Sequence, residues 1–155
     1  MVIKILPLRK THIDHVVELV WEFEKYLESL SSGLRDTFYA HASKQKILRY
    51  WFGKEKSFSW YIAEIDGSIV GYAFYHYGFD PDEMQGKVIH LIDFFVSEKA
   101  RGKWVGRALI KKLQSHEDSL WLYFWVWKKN RGAIEFYKKM WAKWCEDVPF
   151  MKLMK

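Results

Sequence analysis

Asp93-Phe94-Phe95-Val96-Ser97-Glu98-Lys99-Ala100-Arg101-Gly102-Lys103-Trp104-Val105-Gly106-Arg107-Ala108-Leu109-Ile110-Lys111-Lys112-Leu113 is the stretch that decides the fold. It reads as the end of a buried strand, a basic loop with two glycines and the opening of an amphipathic helix. That order brings free backbone N–H groups and the positive end of a helix dipole to one point, which suits a bound diphosphate. Farther along, Asn130-Arg131-Gly132-Ala133-Ile134-Glu135-Phe136-Tyr137-Lys138-Lys139 reads as a second helix start that carries a tyrosine.

Working outward, Val2–Leu6 reads as a first strand, and Thr11 with Asp14 as a helix-start cap. Ile13, Val16, Val17, Val20, Phe23 and Leu27 then recur at helical spacing to about Leu30. A second helix is expected over Asp36–Tyr50, with Phe38, Ile47 and Leu48 among its apolar positions. Phe58–Ile65 and Ile69–Tyr77 are strand-like and joined by Asp66-Gly67, a two-residue hairpin signal. The loop Gly78–Gly86 is acidic and turn-rich, and the apolar strand Val88–Val96 after it is expected in a central, doubly covered position. A helix over Lys103–Gln114, a strand over Leu120–Trp127, a helix over Arg131–Met140 and a closing β segment around Trp144–Leu153 complete the order. The result is a single mixed α/β (α+β) domain over residues 1–155; periodicity alone does not fix the order of its strands.

The totals agree with one globular domain: 155 residues, half of them hydrophobic, 28% charged. Aromatic residues make up 19%, including nine Trp, and most of these rings are expected in a large core or an oligomer interface. The net charge of +6 attracts anions. Arg101, Lys103, Arg107, Lys111 and Lys112 form a local cluster for a small polyanion. Cys145 is the only cysteine, so no internal disulfide forms, and a reducing cytoplasm is expected; Cys145 itself reads as a partly buried small residue. Met1–Leu8 is too short and interrupted for a signal h-region, so no secretory signal is expected, and the longest apolar run, Leu120–Trp127, is too short to span a bilayer as a helix. The six His lack metal-ligand spacing, so no metal is expected. No Ser-His-Asp arrangement with a nucleophile elbow is present.

Arg101-Gly102-Lys103-Trp104-Val105-Gly106 resembles the (Arg/Gln)-x-x-Gly-x-(Gly/Ala) motif of the GNAT superfamily of acetyltransferases, in the strand–loop–helix context such a motif needs. The resemblance runs from roughly Trp60 to Trp144. It implies a central, mixed, mostly antiparallel twisted sheet flanked by helices. It also implies that backbone amides of Gly102, Lys103, Trp104, Val105, Gly106 and Arg107, beside Arg101, hold the diphosphate of acetyl-coenzyme A. Trp104 stands where the family has glycine, which is tolerable if its φ is negative. Asp93-Phe94-Phe95-Val96, Phe79-Asp80-Pro81 and Lys25-Tyr26 look similar to the spermidine/spermine (diamine) N-acetyltransferase branch. By that resemblance the main chain of Phe94, Phe95 and Val96 pairs with the pantetheine arm, like an added strand. The arm lies in a V-shaped gap where the strands ending near Val96 and Trp125 splay apart.

Asn130-x-x-Ala133-x-x-Phe136-Tyr137 matches the family's second motif, whose tyrosine is the general acid. A phenol of pKa near 10 stays protonated at neutral pH and can protonate a departing thiolate. Asn130 caps the helix or bonds the pantetheine. Trp141 replaces the glycine usual after this helix, so its last turn is expected to end differently. The attacking amine needs a base, and here the branch pattern is broken: Ile92 stands at the position of the branch's glutamate and Leu27 at that of a helix acid. Strand alternation should turn Asp93 away from the side that position 92 faces. Tyr26, Glu28, Asp82, Glu83 and Asp93 are the candidates for meeting a cationic acceptor.

The resemblance therefore implies an N-acetyltransferase that moves acetyl from acetyl-CoA to a primary amine, small or polyamine-like, by direct attack in a ternary complex. A homodimer is expected, since the branch is dimeric. A non-catalytic acyl-CoA-binding or regulatory module, and a protein N-terminal or lysine acetyltransferase, are the alternatives. Nucleic-acid binding ranks last, because the cations gather at the phosphate loop rather than along an aromatic-lined strand, and no membrane partner is expected.

Overall fold

The computed structural model describes residues 1–31, 44–56, 58–80 and 83–145. The chain divides into two compact units, Met1–Trp125 and Val126–Lys155. In the first, strand β1 (Ile3–Pro7), helix α1 (Ile13–Ser31), helix α2 (Lys44–Phe52), strands β2 (Ser59–Ile65), β3 (Ser68–Asp80) and β4 (Glu83–Val96), helix α3 (Val105–Gln114) and strand β5 (Ser119–Phe124) follow in order. The sheet order is β1-β2-β3-β4-β5. The first three pairings are antiparallel, and β4 pairs β5 in parallel. A parallel pair needs a crossover, and α3 makes it. The expected mixed, mostly antiparallel sheet is what forms.

Alternation on β2 sorts the two faces. Trp60 and Ile62 join Val16, Leu19 and Val20 of α1, Tyr72 and Phe95 in one buried cluster. Tyr61, pointing the other way, meets α3: the Lys112 ammonium lies 5.6 Å from its ring centroid. Leu19 belongs to this core although the sequence stripe omits it, because a sheet-facing stripe is wider than the single i, i+3/i+4 row. On the α1 face the rings interlock, with Trp60 stacked on Phe74 at 4.8 Å and Trp51 of α2 edge-on to both.

The Asp66-Gly67 hairpin forms as read, with φ of 48° and 85°, the pair of positive values a tight two-residue turn requires. Four local readings change. Thr11 lies in a 3-10 turn, Lys10–His12, and the start is closed instead by the Arg9 N–H donating to His12 Nδ1 at 3.2 Å. The strands extend into the expected Gly78–Gly86 loop, β3 reaching Asp80 and β4 beginning at Glu83, since their ladder outweighs the local turn composition. Seven of the nine Trp are exposed (Trp21, Trp104, Trp121, Trp125, Trp127, Trp141 and Trp144), so the aromatic core is built mainly from Phe and Tyr with Trp51 and Trp60. Cys145 is exposed. Of the expected second helix, α2 contains the part from Lys44; residues 36–43 lie outside the described residues, as does most of the expected closing β segment.

The second unit holds helix α4 (Arg131–Lys139). Its start is capped by Asn130, whose Oδ1 accepts from Ala133 N at 3.1 Å. Its end is a complete Schellman motif: Ala142 N–H donates to Tyr137 O and Trp141 N–H to Lys138 O. Trp141 occupies the left-handed position at φ 66°. The end is thus the usual one after all, with tryptophan in the glycine's conformation. No helix among the described residues is long and apolar enough to cross a membrane.

On the α3 face, His116 sits against three tyrosines, with the Tyr61 and Tyr75 hydroxyls each 3.4 Å from its Nε2 and its ring 4.9 Å from that of Tyr77. Burial, then the charge of Lys112, lowers its pKa. A histidine held neutral in the folded state binds its proton more readily unfolded, so its contribution is present above the ordinary pKa and is lost as pH falls through it. His116→Gln is therefore expected to flatten the rise of Tm with pH below about 6.5 relative to wild type, measured by thermal melts at fixed salt.

Candidate active site

The site is assembled around the far end of β4. Its ladder with β5 runs from Lys87↔Ser119 to Leu91↔Phe124, where β5 ends, while β4 continues to Val96. On its other edge, Asp93, Phe94, Phe95 and Val96 stay in register with Phe74, Ala73, Tyr72 and Gly71. Between Leu91 (opposite Tyr75) and Asp93 (opposite Phe74) the register shifts, which makes Ile92 the extra residue of a β-bulge. The simple alternation expected across positions 92 and 93 is therefore interrupted. Asp93 is two residues from Phe95 and shares its face, the one covered by α1.

Beyond Val96 the chain makes a 3-10 turn, Glu98–Ala100, and then the loop that opens α3. Helix α1 is tied to this junction: Glu22 Oε1 accepts from Ser97 Oγ at 3.0 Å and from Glu98 N at 3.3 Å, and Phe23 packs on Phe95 at 5.3 Å. Arg101 folds back on the same place. Its Nε donates to the Val96 carbonyl at 3.2 Å, and its guanidinium lies 5.0 Å from the Tyr26 ring and 5.7 Å from that of Phe95. No local signal announces the Glu22 tie, because its partners are more than seventy residues away.

The first bond of α3 is Ala108 N–H to Trp104 O at 3.0 Å. Among the described residues, nothing in the chain accepts from the N–H groups of Gly102 to Arg107. They remain available at the positive end of the helix, which is the requirement for holding an anion. Gly102 has φ 75°, so glycine is needed there for its backbone, not for space.

Trp104 also has positive φ, 67°, rather than the tolerable negative value. Its indole is 67% exposed and faces the Arg107 guanidinium, 5.5 Å from the ring centroid. Left-handed φ in a non-glycine residue costs roughly 1–2 kcal/mol, and the loop holds Trp104 there because the helix start fixes it. The expected cationic cluster divides: Lys103 and Arg107 are exposed at the loop, whereas Lys111 and Lys112 lie in the last turn of α3.

Tyr26 is half-buried beside Arg101, and Glu28 is exposed one helical position pair farther along α1. Glu83 opens β4; Asp82 lies outside the described residues. The hydroxyl of Tyr72, at 0% exposure, has no hydrogen-bond partner among the described residues, an arrangement that costs about 1–3 kcal/mol. Burial, then the charges of Asp93 and Glu24, hold its pKa well above the ordinary phenol value. Asn130, Ala133, Phe136 and Tyr137 belong to the second unit; there Tyr137 is half-buried and its ring is 5.2 Å from that of Phe136. No group of His, Cys, Asp and Glu among the described residues is arranged to hold a metal.

A family model described as Acetyltransferase (GNAT) family matches residues 18–140. The chain belongs to this family. It is 27% identical over 131 residues to the spermine/spermidine N(1)-acetyltransferase of Bacillus subtilis, covering 81% of this chain and 76% of that one. An uncharacterised N-acetyltransferase of Methanocaldococcus jannaschii is 26% identical over 125 residues, 77% of this chain. The chain spans only 55% of that relative's length. In fold it resembles the aminoglycoside N-acetyltransferase AAC(6')-Iy, solved with a bisubstrate analogue containing CoA, with TM-score 0.69 and 19% identity over 100% of both chains.

Both left-handed tryptophans are expected to be replaceable by glycine with a gain. The double variant Trp104→Gly/Trp141→Gly should unfold at higher urea, by about 1 kcal/mol in total once the greater freedom of glycine in the unfolded chain is subtracted.

Proposed function

We propose that this chain is an acetyl-CoA-dependent N-acetyltransferase acting on a primary amine, working as one domain over residues 1–155. The observation that carries the reading is the set of unengaged N–H groups from Gly102 to Arg107 at the start of α3, directly after the strand end Phe94–Val96. Those groups would take the diphosphate of the donor, with the exposed Lys103 and Arg107 adding charge. The main chain of Phe94, Phe95 and Val96 would align the pantetheine arm beyond the point where β5 ends.

Catalysis then follows from positioning. Two substrates held together lose much of the entropic barrier to attack. The neutral amine nitrogen adds to the thioester carbon, the carbon–sulfur bond breaks, Tyr137 protonates the departing thiolate, and the proton shed by the nitrogen passes to solvent, from which the phenol is restored. The neighbours support the amine class in general terms: one relative's name specifies polyamines, and one fold neighbour is an aminoglycoside enzyme. Tyr26, Glu28 and Asp93, with Asp82 and Glu83, are assigned to the acceptor. A cytoplasmic homodimer is part of the same reading, the second copy covering some of the exposed tryptophan surface.

Isothermal titration with acetyl-CoA, followed by thiol release over an amine panel, tests the proposal. Binding with amine-dependent release is expected. Binding without release is the outcome for a non-catalytic acyl-CoA module, the reading that Ile92 at the branch's base position favours. Tyr137→Phe should lower kcat by about 100-fold or more with acetyl-CoA affinity unchanged; an unchanged kcat removes Tyr137 from the mechanism. Sedimentation should find a dimer at micromolar concentration.

A further inference from the structure

Trp104 stands where the loop would be more easily built from glycine. Its φ of 67° is left-handed, and its indole, 67% exposed, leaves little of the ring for the core to hold. Neither the backbone conformation nor packing accounts for a tryptophan at this place. Strain alone does not single it out, because Trp141 has φ 66° at the end of α4 and is 89% exposed. What distinguishes Trp104 is its neighbours.

Arg107, one turn on along α3, lies against the ring with its guanidinium 5.5 Å from the centroid. Both side chains are exposed, and no other ring or cation is placed against the indole among the described residues. One face is thus backed by a cation, while the opposite face is left to solvent. The contact restrains the side chain, so a flat apolar surface stands at the helix start with less rotamer freedom to lose on binding. The unengaged N–H groups of Gly102 to Arg107 lie on the same loop, with Trp104 in their midst. Lys103 beside it is exposed.

We propose that the indole of Trp104 is the platform on which the adenine of the acetyl donor stacks, with Arg107 holding the ring from behind and Lys103 and Arg107 meeting the ribose phosphate. This deepens the acetyl-CoA reading above and rests on it. In coenzyme A one ribose joins the adenine to the diphosphate and carries a further phosphate. A diphosphate held by the main chain on either side of Trp104 therefore brings the base within reach of the ring. Stacking needs only a flat π surface, so an exposed indole serves without a pocket, and the base keeps its polar edge in water. A guanidinium behind the ring adds to the attraction for the phosphates without competing for the free face. Glycine at position 104 would give a less strained loop that holds the diphosphate alone. Tryptophan gives up some of that stability and gains a hold on the adenosine.

The test titrates acetyl-CoA by calorimetry into wild type, Trp104→Asn, Trp104→Phe and Trp141→Gly. Asparagine tolerates left-handed backbone without a ring, so Trp104→Asn separates the indole from the conformation of the loop. It is expected to weaken acetyl-CoA about tenfold. Trp104→Phe keeps a ring and should retain most of the affinity, and Trp141→Gly should bind as wild type does. In proton NMR spectra the adenine H2 and H8 resonances of acetyl-CoA should move upfield on binding to wild type, under the ring current of the indole, and less on binding to Trp104→Asn. Unaltered affinity in Trp104→Asn, or adenine resonances that do not move on wild type, overturns the platform and leaves the diphosphate loop standing. A loss in Trp141→Gly as large as that in Trp104→Asn overturns it as well. If wild type does not bind acetyl-CoA at millimolar concentration, the acetyl-CoA reading fails first and this inference with it.

Discussion

The parallel ladder between β4 and β5 stops at Leu91 and Phe124, and the candidate site of the first unit is assembled along the stretch of β4 that runs on from there. Its geometry is held from three sides. β3 stays in register along one edge, α1 is tied across the end by Glu22 and Phe23, and Arg101 closes the turn onto the Val96 carbonyl. The loop into α3 therefore begins from a fixed point. Its N–H groups need no reorganisation to face an anion, which is what makes a backbone site effective.

The bulge at Ile92 has a related effect. One inserted residue resets the alternation of β4 just before the site, so that Asp93 shares a face with Phe95 while Leu91 stays buried against the α3 side opposite Tyr75. An isoleucine stands in the place where the resembling branch has an acid, and Asp93, one residue on, lies on the α1 face.

Much of this was legible from the residues. The strand–loop–helix order around Arg101–Gly106, the Asp66-Gly67 hairpin and the Asn130 cap are local signals, carried by glycine, by φ preferences and by capping oxygens. The unread parts depend on contacts between distant segments. Neither the Glu22–Ser97 tie, the burial of the Tyr72 hydroxyl nor the bulge is written in a short window. Positions 104 and 141 went unread for a different reason. A tryptophan there gives no local hint of left-handed backbone, since the conformation is imposed by a helix start in one case and a Schellman end in the other.

The placement of the indoles also governs how this protein can be observed. With seven of its nine tryptophans already facing solvent, most of its ultraviolet emission should be red-shifted and open to collisional quenchers in the native state. Loss of structure around the sheet would alter the spectrum mainly through Trp51 and Trp60, which pack against each other at 4.9 Å. The remaining indoles form a nearly constant background, and Trp104, beside the diphosphate loop, is the one whose light would dim or shift when that loop fills.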